Sequence, residues 1–357
     1  MTNKERIKNT VLCRSTDRTP FFFLFGPWPE TITRWKQEGL EDGADWSERF
    51  GFDPGITVVD FNYGFCPWFE TKEIQNDGKR AVVLDEFGIT KEINLEESSI
   101  PRYLKHPVET IEDWEKLKER LNPNSPQRFP ENWRELIKGY NNPEAFVQLG
   151  VYPYGLFGTI RELMGVENLL MGFYDQPELI RDMMDYLTDF WISVYSVILK
   201  DVRADSIHIW EDMSGRSGSL ISPAFVREFM LPNYQKIKRF ALNNGIEVMS
   251  LDTDGDCSQL IPVFMEGGIN LLLPFEVMPQ NDIIEYRKKY PKLGILGGID
   301  KIKISEGKAA IDKELGRISK MLEYPGYIPN LDHLVHPEIS WDDFQYFVYQ
   351  LKKLIGV

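Results

Sequence analysis

From residue 145 onward, short apolar runs alternate with longer helical patterns, and that alternation leaves few folds open. The runs are 21–25, 145–149, 206–210, 246–251, 270–274, 293–296 and 327–329. Between them lie helix candidates at 177–200, 222–242, 258–266, 282–289, 309–322 and 341–354. Pro177 followed by Glu178, and Ser222 before Pro223, are cap-then-proline helix starts. Strands alternating with helices of this length build parallel βαβ units. The alternation is too long for a small doubly wound domain, so the sequence predicts an α/β fold, a (β/α)8 TIM barrel, as one domain over 1–357.

Residues 63–104 break the rhythm. Asn76-Asp77-Gly78 stands between runs 71–74 and 80–84, and Glu86-Phe87-Gly88 precedes 89–93. Asp-Gly between alternating runs marks a hairpin, so a small antiparallel β excursion is expected near one barrel mouth. Residues 105–143 are charged, helical and punctuated by Asn122-Pro123-Asn124-Ser125-Pro126, which reads as peripheral.

Charge narrows the partners. With 41 Lys plus Arg against 55 Asp plus Glu, the net charge is −14, which disfavours nucleic acid and anionic membrane surfaces. Three cysteines without framework spacing suit a reducing compartment. The opening MTNKERIKNT has no apolar core of a signal peptide, so the expected location is cytoplasmic. No GxGxxG or Walker pattern occurs, and neither NAD nor flavin is expected.

A parallel barrel builds its active site at the carboxyl ends of its strands. Five consecutive strand ends here deliver an acid: Glu211 and Asp212; then Asp252-Thr253-Asp254-Gly255-Asp256; Glu276; Asp300; and Asp332-His333. Asp252 and Asp254 are two apart, so in an extended segment they share a face. Such a pair suits a divalent metal or an acid/base couple with split pKa values. Asp332, Glu276 or His333 would complete a metal shell. Asp256 reads as a cap for the next helix. A calcium loop is ruled out by the missing Glu at its twelfth position. His208, flanked by Ile207 and Ile209, reads as a hydrogen-bonded core histidine, and His106 and His336 as surface residues. Cys257 reads as a small buried residue. The aromatic loop Gly26-Pro27-Trp28-Pro29, with Tyr63, Phe65, Trp68 and Phe69, would wall an apolar pocket as readily as it would pack the excursion. Trp28, Tyr154 and Glu276 are the candidates to contact substrate.

The chain resembles the uroporphyrinogen decarboxylase superfamily, which also holds cobalamin-dependent methyltransferases. The resemblance runs from Arg18-Thr19-Pro20 to the last helix. It is carried by Ser222-Pro223 with Phe229-Met230-Leu231-Pro232, Asp254-Gly255, Pro262, Glu266-Gly267-Gly268, Pro274-Phe275-Glu276, Gly297-Gly298-Ile299-Asp300-Lys301, and Asn330-Leu331-Asp332-His333 with Pro337. It implies a (β/α)8 barrel. Decarboxylases of the family carry an arginine-rich segment after the first strand, where this chain reads Phe25-Gly26-Pro27-Trp28. A polycarboxylate substrate needs cations. The family's tyrosine falls on Thr159, its serine on Asp212 and its catalytic aspartate on Asp60, while its late histidine is kept as His333. The methyltransferases hold zinc through His-x-Cys-Gly and a later Cys. The matching element is Asp252-Thr253-Asp254-Gly255, with the later position near Asp332 or His333, all harder ligands that favour an oxygen substrate such as a methoxy compound. The resemblance thus implies methyl transfer between a small methylated substrate and cobalamin on a partner corrinoid protein. A divalent metal, zinc foremost, would sit on Asp252, Asp254, His333 and Asp332, with Glu211, Asp212 and His333 as acid/base groups. The family often pairs its chains, so a homodimer is expected. The alternatives are decarboxylation of uroporphyrinogen or another carboxylic acid, which arginines at the mouth (Arg34, Arg161, Arg216) would favour, and a non-catalytic small-molecule-binding barrel.

Overall fold

The computed structural model describes residues 1–43, 46–96, 100–278 and 282–357. In chain order its strands are β1 (Ile56–Val58), β2 (Lys72–Asn76), β3 (Arg80–Leu84), β4 (Thr90–Asn94), β5 (Arg102–Lys105), β6 (Phe146–Leu149), β7 (Ser206–Trp210), β8 (Ser214–Gly215), β9 (Gly218–Ser219), β10 (Val248–Asp252), β11 (Leu271–Phe275), β12 (Gly294–Ile299) and β13 (Tyr327–Leu331). Seven form one sheet in the order β1-β6-β7-β10-β11-β12-β13, every neighbour parallel. Helices cover its outer face. The longest, Pro177–Ile198, buries Leu179, Ile180, Met183, Met184, Leu187, Trp191, Val194 and Ile198 along one stripe. That three-four spacing is why it lies on the sheet.

The expected barrel is present with one departure. Residues 21–25, read as its first strand, make no ladder and bend at Leu24 and Phe25. They close the ring through a side chain: Asn330 Oδ1 of β13 accepts from Leu24 N at 2.8 Å, and Asn330 Nδ2 donates to Phe22 O at 2.8 Å. On the other side Asp53 N donates to Phe21 O at 2.7 Å, three residues before β1. Pro329 has no N–H to give a neighbouring strand, and the amide of Asn330 takes over the pairing. Phe22 joins Phe146, Val248, Leu271, Leu273, Leu296 and Ile328 in the apolar cluster that fills the barrel.

Above that layer the alternation of β7 and β10 brings polar groups inward. Ser206, His208 and Trp210 share one face, Ile207 and Ile209 the other. His208 Nδ1 lies 3.0 Å from Ser250 Oγ, and burial pushes its pKa down to about 4, so it is the neutral core histidine expected.

The helix expected over 222–242 begins as predicted, with Ser222 Oγ accepting from Phe225 N at 3.3 Å. It then widens into a π-turn, Val226–Met230, before Leu231–Asn243. Pro232 lacks the N–H that an unbroken ladder would need.

The excursion is a four-stranded antiparallel sheet, β2-β3-β4-β5, with the turn at Asp77 as expected. Its fourth strand, β5, is fully exposed and has no apolar alternation to announce it. The helices Ile111–Lys118 and Trp133–Tyr140 follow. Arg128 fastens this region to the barrel. Its side chain is 1% exposed. It donates to the carbonyls of Asn122 (2.7 Å), Asn62 (2.9 Å), Gly64 (2.6 Å) and Arg120 (3.3 Å), with its guanidinium 4.8 Å over the Phe190 ring. No helix among the described residues is long and apolar enough to cross a membrane.

Candidate active site

The loops after β7, β10, β11, β12 and β13 meet at one mouth, and backbone bonds knit them together. Glu211 N and Asp212 N donate to Asp252 O at 2.9 and 3.1 Å. Met213 N donates to Thr253 Oγ1 at 3.1 Å, and Gly255 N to Glu276 Oε2 at 2.8 Å. Gly255 has φ +66°, and a Cβ there would stand 2.6 Å from the backbone of Gly215, so only glycine lets the β8–β9 hairpin approach.

Four carboxylates face one another here. Burial, then the charges of Asp254, Asp212 and Glu276, raise the Asp252 pKa well above its usual value. Burial, then Glu276 and Asp212, raise Asp254 to about 7, against the pull of Lys301 and Arg161. Asp254 therefore keeps its proton close to neutrality. His333 stacks on Phe25 (centroids 5.3 Å, 24° between planes), with Nε2 3.9 Å from Asp254 Oδ2. Burial and the Lys301 charge lower the His333 pKa, against the pull of Glu276 and Asp332, which favours the neutral ring.

Asp212 sits in the left-handed region at φ 41°, uncommon for a residue with a Cβ. Arg161 holds it there: Nη1 is 2.7 Å from both Asp212 Oδ2 and Asp212 O, and the guanidinium lies 4.9 Å over the Trp210 ring. Arg161, one of the three arginines expected at the mouth, is thus already ion-paired.

Other expected site residues lie elsewhere or are engaged. Glu211 is 0% exposed. Its Oε2 accepts from Phe157 N (2.6 Å) and Gly158 N (3.2 Å) at the start of the helix Leu156–Met164, and its Oε1 from Tyr234 Oη (2.7 Å). It is an anchor for that helix, with no oxygen left for acid/base work. Gly155 and Gly158 allow the fit, since a Cβ on either would strike Trp210 O. That glycine pair is the sequence signal for this contact. Asp332 is buried, with Oδ2 accepting from Val277 N at 3.2 Å and Oδ1 from both Lys301 N and Lys301 Nζ at 3.2 Å. Tyr154 lines a small cavity with Tyr63, Phe65, Glu162, Leu187, Phe190 and Trp191, and none of Asp212, Asp252, Asp254 and Glu276 lines it. Trp28 stands at the rim, half exposed, its ring edge-on to His336. Asp60 is exposed beyond β1 and lines an outer groove with Phe61 and Phe129. Cys257 is buried, its thiol pushed up to about 12. Lys301 stands inside the mouth; its position in the quoted Gly297–Lys301 motif was the only sign of it.

Zinc takes three or four protein donors. Among the described residues no group of three or more His, Cys, Asp or Glu side chains is gathered to hold a metal ion. Asp332 is taken by Lys301 and Val277, and Glu276 by Gly255 N, with Lys301 Nζ 3.7 Å from its Oε1. The donors as arranged do not fit zinc.

Glu211 gives a pH test of stability. Burial raises its carboxyl to about 7 from 4.5. The folded chain thus holds a proton that the unfolded chain releases above 4.5. The resulting stabilisation is complete below pH 4.5 and is lost as pH rises through 7. Glu211→Gln keeps an oxygen for the two amides and an NH2 for Tyr234. Its unfolding free energy in urea should change less between pH 5 and 8 than the wild type's, by about 2 kcal/mol. Identical pH dependence in both proteins would refute the assignment.

Residues 80–354 match the family model for uroporphyrinogen decarboxylase (URO-D). The chain belongs to the uroporphyrinogen decarboxylase family. A solved structure named as a methyltransferase from Methanosarcina mazei superposes over 99% of both chains, with a TM-score of 0.58 at 15% identity. At that identity it shows a shared fold. No curated protein matches the sequence. Thr159, expected from the sequence at the family's tyrosine position, is engaged by the backbone. Its hydroxyl accepts from Gly155 N at 3.0 Å and donates to Pro153 O at 3.1 Å, and so caps a helix.

Proposed function

We propose that this chain is a methyltransferase of the uroporphyrinogen decarboxylase family that removes a methyl group from a small methoxy compound. One observation carries the reading: a carboxylic acid that stays protonated near neutrality, Asp254, set among other acids. Such a mouth repels polycarboxylates. Arg161 is engaged by Asp212, and Lys301 by Glu276 and Asp332. A neutral ether meets no such repulsion. A corrinoid on a partner protein would supply the nucleophilic cobalt that accepts the methyl group. The aromatic rim, with Trp28 and the exposed Tyr152 edge-on to Trp210 at 4.7 Å, offers flat apolar surface to such a macrocycle.

When the carbon–oxygen bond breaks, its electron pair stays on oxygen. Asp254 delivers its proton to that oxygen, and a group with a pKa near the working pH suits the task. His333, held flat on Phe25 with Nε2 3.9 Å from Asp254 Oδ2, can relay a proton from solvent to Asp254, taking one up on one ring nitrogen as it gives one from the other. Arg161 fixes Asp212, whose charge helps keep Asp254 protonated.

The test is purified protein with free cob(I)alamin and a panel of methoxy aromatics and alcohols, scored by chromatography for the demethylated product. Demethylation that needs both protein and cob(I)alamin supports the reading. Carbon dioxide release from a panel of carboxylic acids, with no demethylation, would replace it with decarboxylation.

A further inference from the structure

We propose that Lys301 is the resident cation of this mouth, standing where a divalent ion would need its donors and placed to steady the oxygen left by the departing methyl group. Lys301 Nζ lies 3.2 Å from Asp332 Oδ1 and 3.7 Å from Glu276 Oε1. Its backbone N–H donates to the same Asp332 oxygen at 3.2 Å, so both ends of the residue are clipped to one buried carboxylate. The side chain is only 16% exposed, and so is that of Glu276.

The chain goes to some length to hold the ammonium there. Gly297 in β12 has φ +123°, and a Cβ on it would lie 2.5 Å from Phe275 N, so β11 and β12 press together just below Glu276 and Lys301. Asp300 Oδ1 accepts from Ile302 N at 2.9 Å and caps the helix Lys301–Ser305, which fixes where the lysine starts. Glu276 in turn holds Gly255 N, so the ammonium is tied through one carboxylate to the Asp252–Asp254 loop. Its positive field reaches both Asp254 and His333.

Two consequences follow from one charge. A metal ion entering this mouth would have to take Asp332 or Glu276 from Lys301 and sit beside an ammonium, which Coulomb repulsion opposes strongly in a partly buried site. Without the ammonium, the Glu276 and Asp332 carboxylates that it pairs, and Asp254 within its field, would be left unbalanced and would take up a divalent cation readily. The second half of the proposal, the leaving oxygen, rests on the methyl-transfer reading; the first half does not.

The experiment is calorimetric titration of Zn²⁺ and Mn²⁺ into the wild type, Lys301→Met and Lys301→Arg, with circular dichroism to show that each is folded. The expected result is no stoichiometric binding by the wild type or Lys301→Arg, and at least tenfold tighter binding of one equivalent by Lys301→Met, lost again in Lys301→Met/Asp254→Ala. One equivalent bound tightly by the wild type overturns the proposal, and so does a folded Lys301→Met protein that binds no better. Where methyl transfer is measurable, Lys301→Met should also make the rate depend more steeply on the acidity of the leaving oxygen. An unchanged slope removes that half alone.

Discussion

Asp254→Asn is expected to lower the rate of demethylation by about 10²–10³-fold, the range that a positioned general acid contributes. The side chain keeps its size and can still meet His333, but it has no proton to give. The wild-type rate should fall as pH rises through about 7, where Asp254 loses its proton. The variant should lose that alkaline limb while keeping substrate affinity. Because Asn matches the neutral form that Asp254 already favours, and removes a charge from the crowded mouth only above pH 7, stability should hold or rise, so a folded but inactive protein is the expected outcome. A variant within threefold of the wild type, or one whose alkaline limb persists, would remove Asp254 from the mechanism.

Arg128→Met should be the costliest structural change, about 3 kcal/mol or more in urea unfolding. The carbonyls of Asn62 and Gly64 have their donor in this one guanidinium, which also supports those of Arg120 and Asn122 beside the backbone N–H groups of Cys66 (2.8 Å) and Ser125 (3.4 Å). An unsatisfied buried acceptor costs about 1–3 kcal/mol, less where water reaches it. Met restores the apolar volume against Phe190 and none of the donors. Arg128→Lys, which keeps the charge but loses the planar fork, should fall between. Equal stability of all three proteins would mean that the excursion is held by its apolar contacts alone.

The residues that announced themselves in the sequence are those whose reason is local. Ser206–Trp210 alternates and is bounded by turn residues, and it is a strand over that span. Pro177 and Ser222 start helices because a fixed φ and a side-chain oxygen act within one turn. The acids were legible because a barrel brings every strand end to the same mouth. Illegible was what each acid already held. Glu211 is spent on a helix start 53 and 54 residues earlier. Arg161 meets Asp212 across 51 positions, and Lys301 meets Asp332 across 31. Nothing at one end of such a pair names the other. Residues 21–25 misled for a related reason. They have a strand's composition, but their partner is the side chain of Asn330 rather than a backbone ladder.

That closure has a bearing on how the chain is made. The bonds that shut the ring span 306 and 308 positions. A ribosome must therefore deliver residue 330 before the segment delivered among the first can be seated. Until then the parallel sheet is an unfinished cylinder with two raw borders, β1 and the most recently synthesised strand, each able to recruit a foreign strand. Completion turns on the Asn330 carboxamide and on the backbone pairing of Gly26 and Trp28 with Val335 just after it, and the nascent protein is at its most vulnerable just before these residues arrive.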